Sequence, residues 1–399
     1  MNPRRIGMLL GIATFVTATA ANAAVHRVSP GESIQAAIDS ALPGDTILVE
    51  PGTYQEVGNG RYGLRIATDN LRLIGKVKKG RGDAGKVRIL QNEAQETGVY
   101  AAPAGCDYDV QDDTPAGQEC RSRSLQGFYI RGFSVEEFPV NGIQTRWVDG
   151  FEFVRNASVN NLNNGIYPTL SANGLVRNNE SYGSLDTAMW VAGSENVRVI
   201  GNELWGSVIG FEITVSNNVE VKQNEIYDNT VGVGLFHPNG AGNPPLPVMA
   251  NWRIEQNDIY DNNRPNMAPP GTFQSVLPPG AGVLALGVSD HVIAKNNVED
   301  NDYVGIAVLD WCTPNNFDPT RNCLASPPIT NPQSNNNLIA QNYVSGNGSN
   351  PPPGPLAGLA ADLTYVDSIG SSGNCFEKNK PKNGFTFVSS LGVLPTDGC

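Results

Sequence analysis

One short unit recurs through the chain, and few architectures accommodate it. Glu195-Asn196-Val197-Arg198-Val199-Ile200-Gly201-Asn202-Glu203-Leu204 returns as Asn218-Val219-Glu220-Val221-Lys222-Gln223-Asn224-Glu225-Ile226. It returns again from Asn251, from His291 and from Asn337. Its marker asparagine falls at 156, 178, 202, 224, 257, 296 and 342, with spacings of 22, 24, 22, 33, 39 and 46. Each unit reads as a short strand, an Asn-bearing turn, a second strand opened by Gly, and another turn. In Gly210-Phe211-Glu212-Ile213-Thr214-Val215 the apolar residues alternate with the period of two of a strand buried on one face. About 22 residues is too short for a strand–helix–strand crossover but fits one three-sided coil of β-structure. The excess length then becomes loops at 238–250, 264–280, 312–335 and 349–357. Such units bury their apolar face only by stacking on each other, so they predict one elongated domain. The 399 residues would otherwise allow two or three domains. With 44 Gly and 28 Pro, the composition suits many turns and excludes an all-helical protein.

The N-terminal residues are read as an address. Arg4 and Arg5 precede an apolar run from Ile6 to Thr17, and Ala21-Asn22-Ala23 supplies an A-x-A cleavage signal. Residues 1–23 are therefore expected to be a signal peptide and 24–399 the mature domain, periplasmic or secreted and without a further membrane anchor. Six cysteines fall in three sequential pairs, Cys106/Cys120, Cys312/Cys323 and Cys375/Cys399. They lack the C-x-x-C spacing of zinc or redox sites, so three local disulfides are expected.

Ser33-Ile34-Gln35-Ala36-Ala37-Ile38-Asp39, followed by Pro43-Gly44-Asp45-Thr46-Ile47-Leu48-Val49 and Pro51-Gly52-Thr53-Tyr54, resembles the opening of right-handed parallel β-helix proteins of the pectin-lyase-like superfamily. The repeat from Asn218 to Asp310, with its insertion at 266–271, resembles exported bacterial β-helix repeat proteins of unknown activity. The resemblance spans the mature chain. It implies a single all-β, right-handed parallel β-helix plugged by a helix at 32–41, and the repeat spacing predicts ten to twelve coils over about 45–390. It fixes no chemistry, because this scaffold hosts lyases, epimerases, hydrolases and non-catalytic proteins.

The formal charge of −12 argues against nucleic acid as a partner, since phosphate binding needs clustered cations. No G-x-S-x-G elbow or phosphate loop is present. The acidic turns Asp228-Asn229, Asp261-Asn262 and Asp300-Asn301 lack the spacing of a Ca²⁺ loop, so no cofactor is expected. Taking Phe211 and Ile213 as inward leaves Gln144, Arg146, Tyr167, Trp190 and Glu212 outward on consecutive coils, with His237 closing the row. In that alignment Glu212 has no acidic neighbour, which disfavours glycoside hydrolysis.

Such a strip suits a linear acidic polysaccharide. Trp190 and Tyr167 offer ring faces to sugars, and Arg146 offers a bidentate partner for a uronate carboxylate. Gln144, Trp190 and Glu212 are the expected substrate-binding residues, and Arg146, Tyr167 and His237 the expected catalytic ones. The reaction would be uronate β-elimination or C5-epimerisation, in which a neutralised carboxylate lets a base take the C5 proton. The alternative is a non-catalytic exported scaffold, monomeric, binding carbohydrate or a partner protein through its loops.

Overall fold

The computed structural model of the chain describes residues 23–77, 83–92, 94–236, 249–313, 332–380 and 384–399. The expected signal peptide up to residue 22, His237 and Cys323 lie outside these residues. Three parallel sheets form the body. Sheet I has twelve strands, from Val25–Val28 to Cys375–Glu377. Sheet II has ten, mostly of three residues, from Gly52–Tyr54 to Tyr343–Ser345. Sheet III has eleven, from Tyr62–Ile66 to Phe387–Ser389. The chain visits I, II and III in turn, and in each sheet a strand pairs with its counterparts one coil before and one coil after. All pairs are parallel, as in Asn141–Asn164, Glu195–Asn217 and Glu203–Glu225.

The three sheets share a single continuous apolar interior, in which Val197, Val199, Leu204, Phe211 and Ile213 are fully buried. Gly stands second in most sheet III strands, where the neighbouring coil leaves little room, although Ala188 and Asp362 take the same position in two of them. A Cβ at Gly232 would stand 2.6 Å from the Gly282 carbonyl oxygen and 2.7 Å from Asn262 Nδ2.

The corners are held by side-chain ladders. Between sheets I and II the ladder runs Asn156, Asn179, Asn202, Asn224, Asn257, Asn296, Asn342. Asn202 Oδ1 accepts from the Asn179 backbone N–H at 2.9 Å and from Asn179 Nδ2 at 3.0 Å. Its own Nδ2 donates to the Val176 carbonyl at 3.0 Å and to Asn224 Oδ1 at 2.9 Å. The repeat marker at 178 is therefore displaced by one residue. Asn178 is the turn residue with φ +55°, and Asn179 is the rung. A second ladder between sheets II and III runs Asn229, Asn262, Asn301, Asn347 and ends on Asp362. At the third corner His291 takes a ladder position: its Nδ1 accepts from the Trp252 N–H at 3.1 Å, and its ring stacks on Trp252. The Asp228, Asp261 and Asp300 side chains belong to left-handed turn residues with φ near +50°, and Arg264 binds Asp228 at 2.9 Å.

A helix at Ile34–Ser40 is capped by Ser33, whose hydroxyl accepts from the Ala36 N–H. It sends Ile34 and Ile38 into the apolar interior beside the first strands of sheets I and III. Cys106–Cys120 and Cys375–Cys399 are bonded, with Cα separations of 5.8 and 5.0 Å. The first of these closes a loop containing a second helix, Pro115–Ser122, that the repeat pattern gave no reason to expect. Among the described residues no helix is long and apolar enough to cross a membrane.

Removing one rung should be costly, because its neighbours lose partners in a site closed to water. Asn224→Ala leaves the Asn202 N–H and Nδ2 without their acceptor. The expected loss is roughly 2–4 kcal/mol in urea denaturation. A loss below about 0.5 kcal/mol would mean that the backbone alone holds the corner.

Candidate functional site

Parallel stacking sorts the outward side chains of sheet III into columns about 4.8 Å per step. One column contains Tyr100, Gln144 and Tyr167, then Trp190, Glu212 and Gly234. Arg146 is not in it. It pairs with Thr169 in the adjacent column, which continues through Ala192 and Thr214. The expected single row is corrected here, because Arg146 is two residues beyond Gln144 and so one outward position further along the strand. Arg146 Nη1 donates to the Tyr108 carbonyl at 2.6 Å, and its guanidinium lies 4.1 Å from the Trp147 ring centre.

The column is covered at both ends. Tyr100 and Gln144 are buried, and Gln144 Oε1 accepts from Asn141 Nδ2 at 2.9 Å. Tyr100 belongs to an apolar cluster with Cys106, Cys120 and Trp147 beneath the disulfide loop. At the other end Phe273 and Leu277, from the segment between sheets II and III, pack on Phe236 and Leu284. The later part of this face, where the column continues through Leu284 and Ala307, is thus occupied by the protein's own loop. Tyr167 and Trp190 stay half-exposed between the two covers.

Their rings do not offer sugars the faces expected of them. Tyr167 and Trp190 stack on each other at 4.6 Å with an interplanar angle of 13°. Stacking along the helix axis turns the faces toward neighbouring rungs and leaves edges and polar atoms outward. Trp190 Nε1 donates to Thr214 Oγ1 at 2.9 Å. The Tyr167 phenol is pushed above its usual range, first by burial, so it holds its proton at neutral pH.

Glu212, expected on the surface, is buried and has an acidic neighbour after all. The Thr187 hydroxyl lies 2.8 Å from Glu212 Oε2 and 3.1 Å from Asp186 Oδ1. Strand alternation could not reveal this contact, since Asp186 sits in the turn just before its strand (Thr187–Ala192). Glu212 is held well above the usual carboxylate range by burial first and by the Asp186 charge second. Burial also raises Asp186, to about 6, eased by hydrogen bonds from Thr187 and the Gln274 side chain. One hydroxyl carries one proton and serves one carboxylate as donor. Both contacts are satisfied when Glu212 is protonated and donates to Thr187, which donates in turn to ionised Asp186. Asp186 lines a pocket of about 250 Å³ with Leu162, Asn163, Leu185, Pro269 and Gln274.

Among the described residues, the one group of side chains close enough to hold a metal is Cys375, Glu377 and Cys399, and its two sulfurs are bonded to each other. His237, expected to close the row, lies outside the described residues.

A family model described as a right handed beta helix region matches residues 121–246. No curated protein matches the chain. Among solved structures it is similar to the A-module of the mannuronan C-5 epimerase AlgE4 of Azotobacter vinelandii. That match has 17% identity and a TM-score of 0.56, and covers 90% of this chain and 91% of that one. It is also similar to the Dettilon tailspike protein gp208, at 13% identity and a TM-score of 0.54 over 92% of this chain and 60% of that one. The periplasmic alginate epimerase AlgG aligns at 15% identity with a TM-score of 0.48, over 90% and 72% of the two chains. The fold is a right-handed parallel β-helix.

The carboxyl pair fixes a sign for pH dependence. Both folded pKa values are raised, so the stability of the protonated pair is present at low pH and is lost as pH rises through about 6 and beyond. For Asp186 alone, a rise of about two units is roughly 3 kcal/mol. Asp186→Asn should lose less stability than the wild type between pH 5 and pH 8 in thermal melts. Equal pH profiles would mean that the pair ionises freely.

Proposed function

We propose that the chain is an exported, carbohydrate-active protein that acts on a uronate polysaccharide by transferring the C5 proton, as a lyase or a C5-epimerase. The observation that carries this reading is the proton-sharing pair Asp186–Glu212, of which Asp186 lines a pocket at the turn before the strand that carries Trp190. A linear uronate chain would cross this window along the helix axis. Arg146, one column beyond Tyr167 and on the opposite side of it from Asp186, supplies positive charge for the carboxylate of a neighbouring uronate. Ionised Asp186 takes the C5 proton, and protonated Glu212, through Thr187, limits the charge that accumulates as it does so. In elimination the electron pair of the C5–H bond forms the C4–C5 double bond. The C4–oxygen bond breaks, and the leaving oxygen takes the Tyr167 phenolic proton. In epimerisation no bond to oxygen breaks, and the electron pair left on C5 takes the Tyr167 phenolic proton on the other face.

The fold is shared with a mannuronan C-5 epimerase, which makes a uronate polymer the first substrate to test. A non-catalytic scaffold binding carbohydrate or a partner protein through its loops is the second reading. The engaged ring faces and the cover over Glu212 favour it.

The test is incubation with alginate and with pectate in D₂O, with and without Ca²⁺, following unsaturated product and deuterium at C5. Wild type should give one or both, and Asp186→Asn should lower the rate about 10²–10⁴-fold. Tyr167→Phe should abolish elimination more than exchange. Neither product nor exchange from wild type would leave the scaffold reading.

A further inference from the structure

The outward face of sheet I carries a charge opposite to that of the chain as a whole. Its register aligns Arg72, Tyr129, Glu152, Leu175 and Arg198 in one column. The next column is Ile74, Arg131, Val154, Arg177, Ile200 and Lys222. With Glu220, which follows Arg198 in the first column, they hold five cations against the two carboxylates Glu152 and Glu220, in a chain with 27 Lys+Arg and 39 Asp+Glu. Arg198 is engaged by Glu220 of the following coil at 2.9 Å. Arg131, Arg177 and Lys222 make no ion pair with any described residue.

The second column has a period. Cation and apolar residue alternate, so Arg131, Arg177 and Lys222 recur every second coil, about 9.6 Å apart. Along the first column runs a groove of about 630 Å³, parallel to the helix axis. It opens where the turn residues between sheets III and I change from Asn to Gly. Asn70, Asn173 and Asn196 carry side chains, while Gly127 and Gly150, at φ +70° and +80°, carry none. The Arg72 guanidinium lies 4.0 Å from the centre of the Tyr129 ring and is thereby fixed at the groove's edge.

We infer that this face is a second binding site, for a linear anionic polysaccharide laid along the helix axis. An extended uronate chain turns its carboxylates to alternate sides, so those facing one surface recur every second sugar. Two stacked coils match that repeat, and Arg131, Arg177 and Lys222 meet successive carboxylates on one side of the chain. The sugar hydroxyls lie over the groove, with the Arg72 guanidinium at one end and, along it, the Asn173 and Asn196 amides, which also bond to each other and to Asp149. The ligand class is that of the proposed reaction, but the site lies on a different sheet and has its own readout.

The test is calorimetric titration with an oligouronate long enough to span the three cations. A neutral oligoglucan and polyglutamate of equal length serve as controls. Wild type should bind the oligouronate, with affinity falling as salt rises, and should not bind the glucan. The double variant Arg131→Gln/Arg177→Gln should bind at least about tenfold more weakly at low salt, with a flatter salt dependence. Unchanged melting would show that it folds. Exchange or elimination on a trimer, too short to bridge the strip, should be unchanged in the variant. The inference is overturned if wild type does not bind, if the double variant binds equally, or if polyglutamate binds as tightly as the oligouronate. If wild type lacks any C5 chemistry but the variant loses binding, the reaction falls and this site stands.

Discussion

Each coil completes its backbone hydrogen bonding on the coil before it and the coil after it, and the asparagine amides carry the same bonding around the corners. This mutual satisfaction is what the rest of the structure depends on. A strand of three residues in sheet II has almost no stability of its own, and an isolated corner asparagine buried in an apolar interior would be a liability. Stacked, each Asn Oδ1 receives two donors and each Nδ2 finds two acceptors, so polar groups at full burial become a specification of register. A slip of one residue would turn every sheet III side chain to the other face and break the corner amides at the same time.

Fixed register makes the outer surface a set of columns, and columns have chemical consequences. Identical steps put like side chains on top of one another. Tyr182, Trp205, Tyr227 and Tyr260 stack along sheet II, as Tyr167 and Trp190 do on sheet III. Rings satisfied by their neighbours in this way are less available to a ligand than a list of exposed aromatics suggests. The same stacking brings Glu212 next to the strand that begins at Thr187, and the turn carboxylate of Asp186 then shares its hydroxyl. On sheet I it spaces arginines by two coils.

Much of this was legible in the residues. The marker asparagines, the Gly-opened strands and the alternation around Phe211 lead to parallel coils, because each answers a backbone or packing demand that repeats every turn. The inward assignment of Phe211 and Ile213 agrees with their complete burial, and it places Tyr167, Trp190 and Glu212 in one column. The failures have a common origin. Alternation alone puts Arg146 one outward position too early and misses Asp186, because it describes strands and says nothing of how a turn side chain folds back. The burial of Gln144 and Glu212 was hidden for a related reason. Loops rich in Pro and Gly carry no periodicity, so which part of a sheet they cover is settled by particular contacts such as Phe273 on Phe236.

The site depends on a carboxylic acid, Glu212, kept neutral at physiological pH by its place in the stack. Infrared difference spectroscopy between wild type and Glu212→Gln at neutral pH reads that proton directly. A protonated carboxyl band present in wild type, shifted in D₂O and missing from the variant, is the expected result. A difference spectrum containing only ionised carboxylate bands would contradict it, and with it the proton-sharing pair on which the proposed chemistry depends.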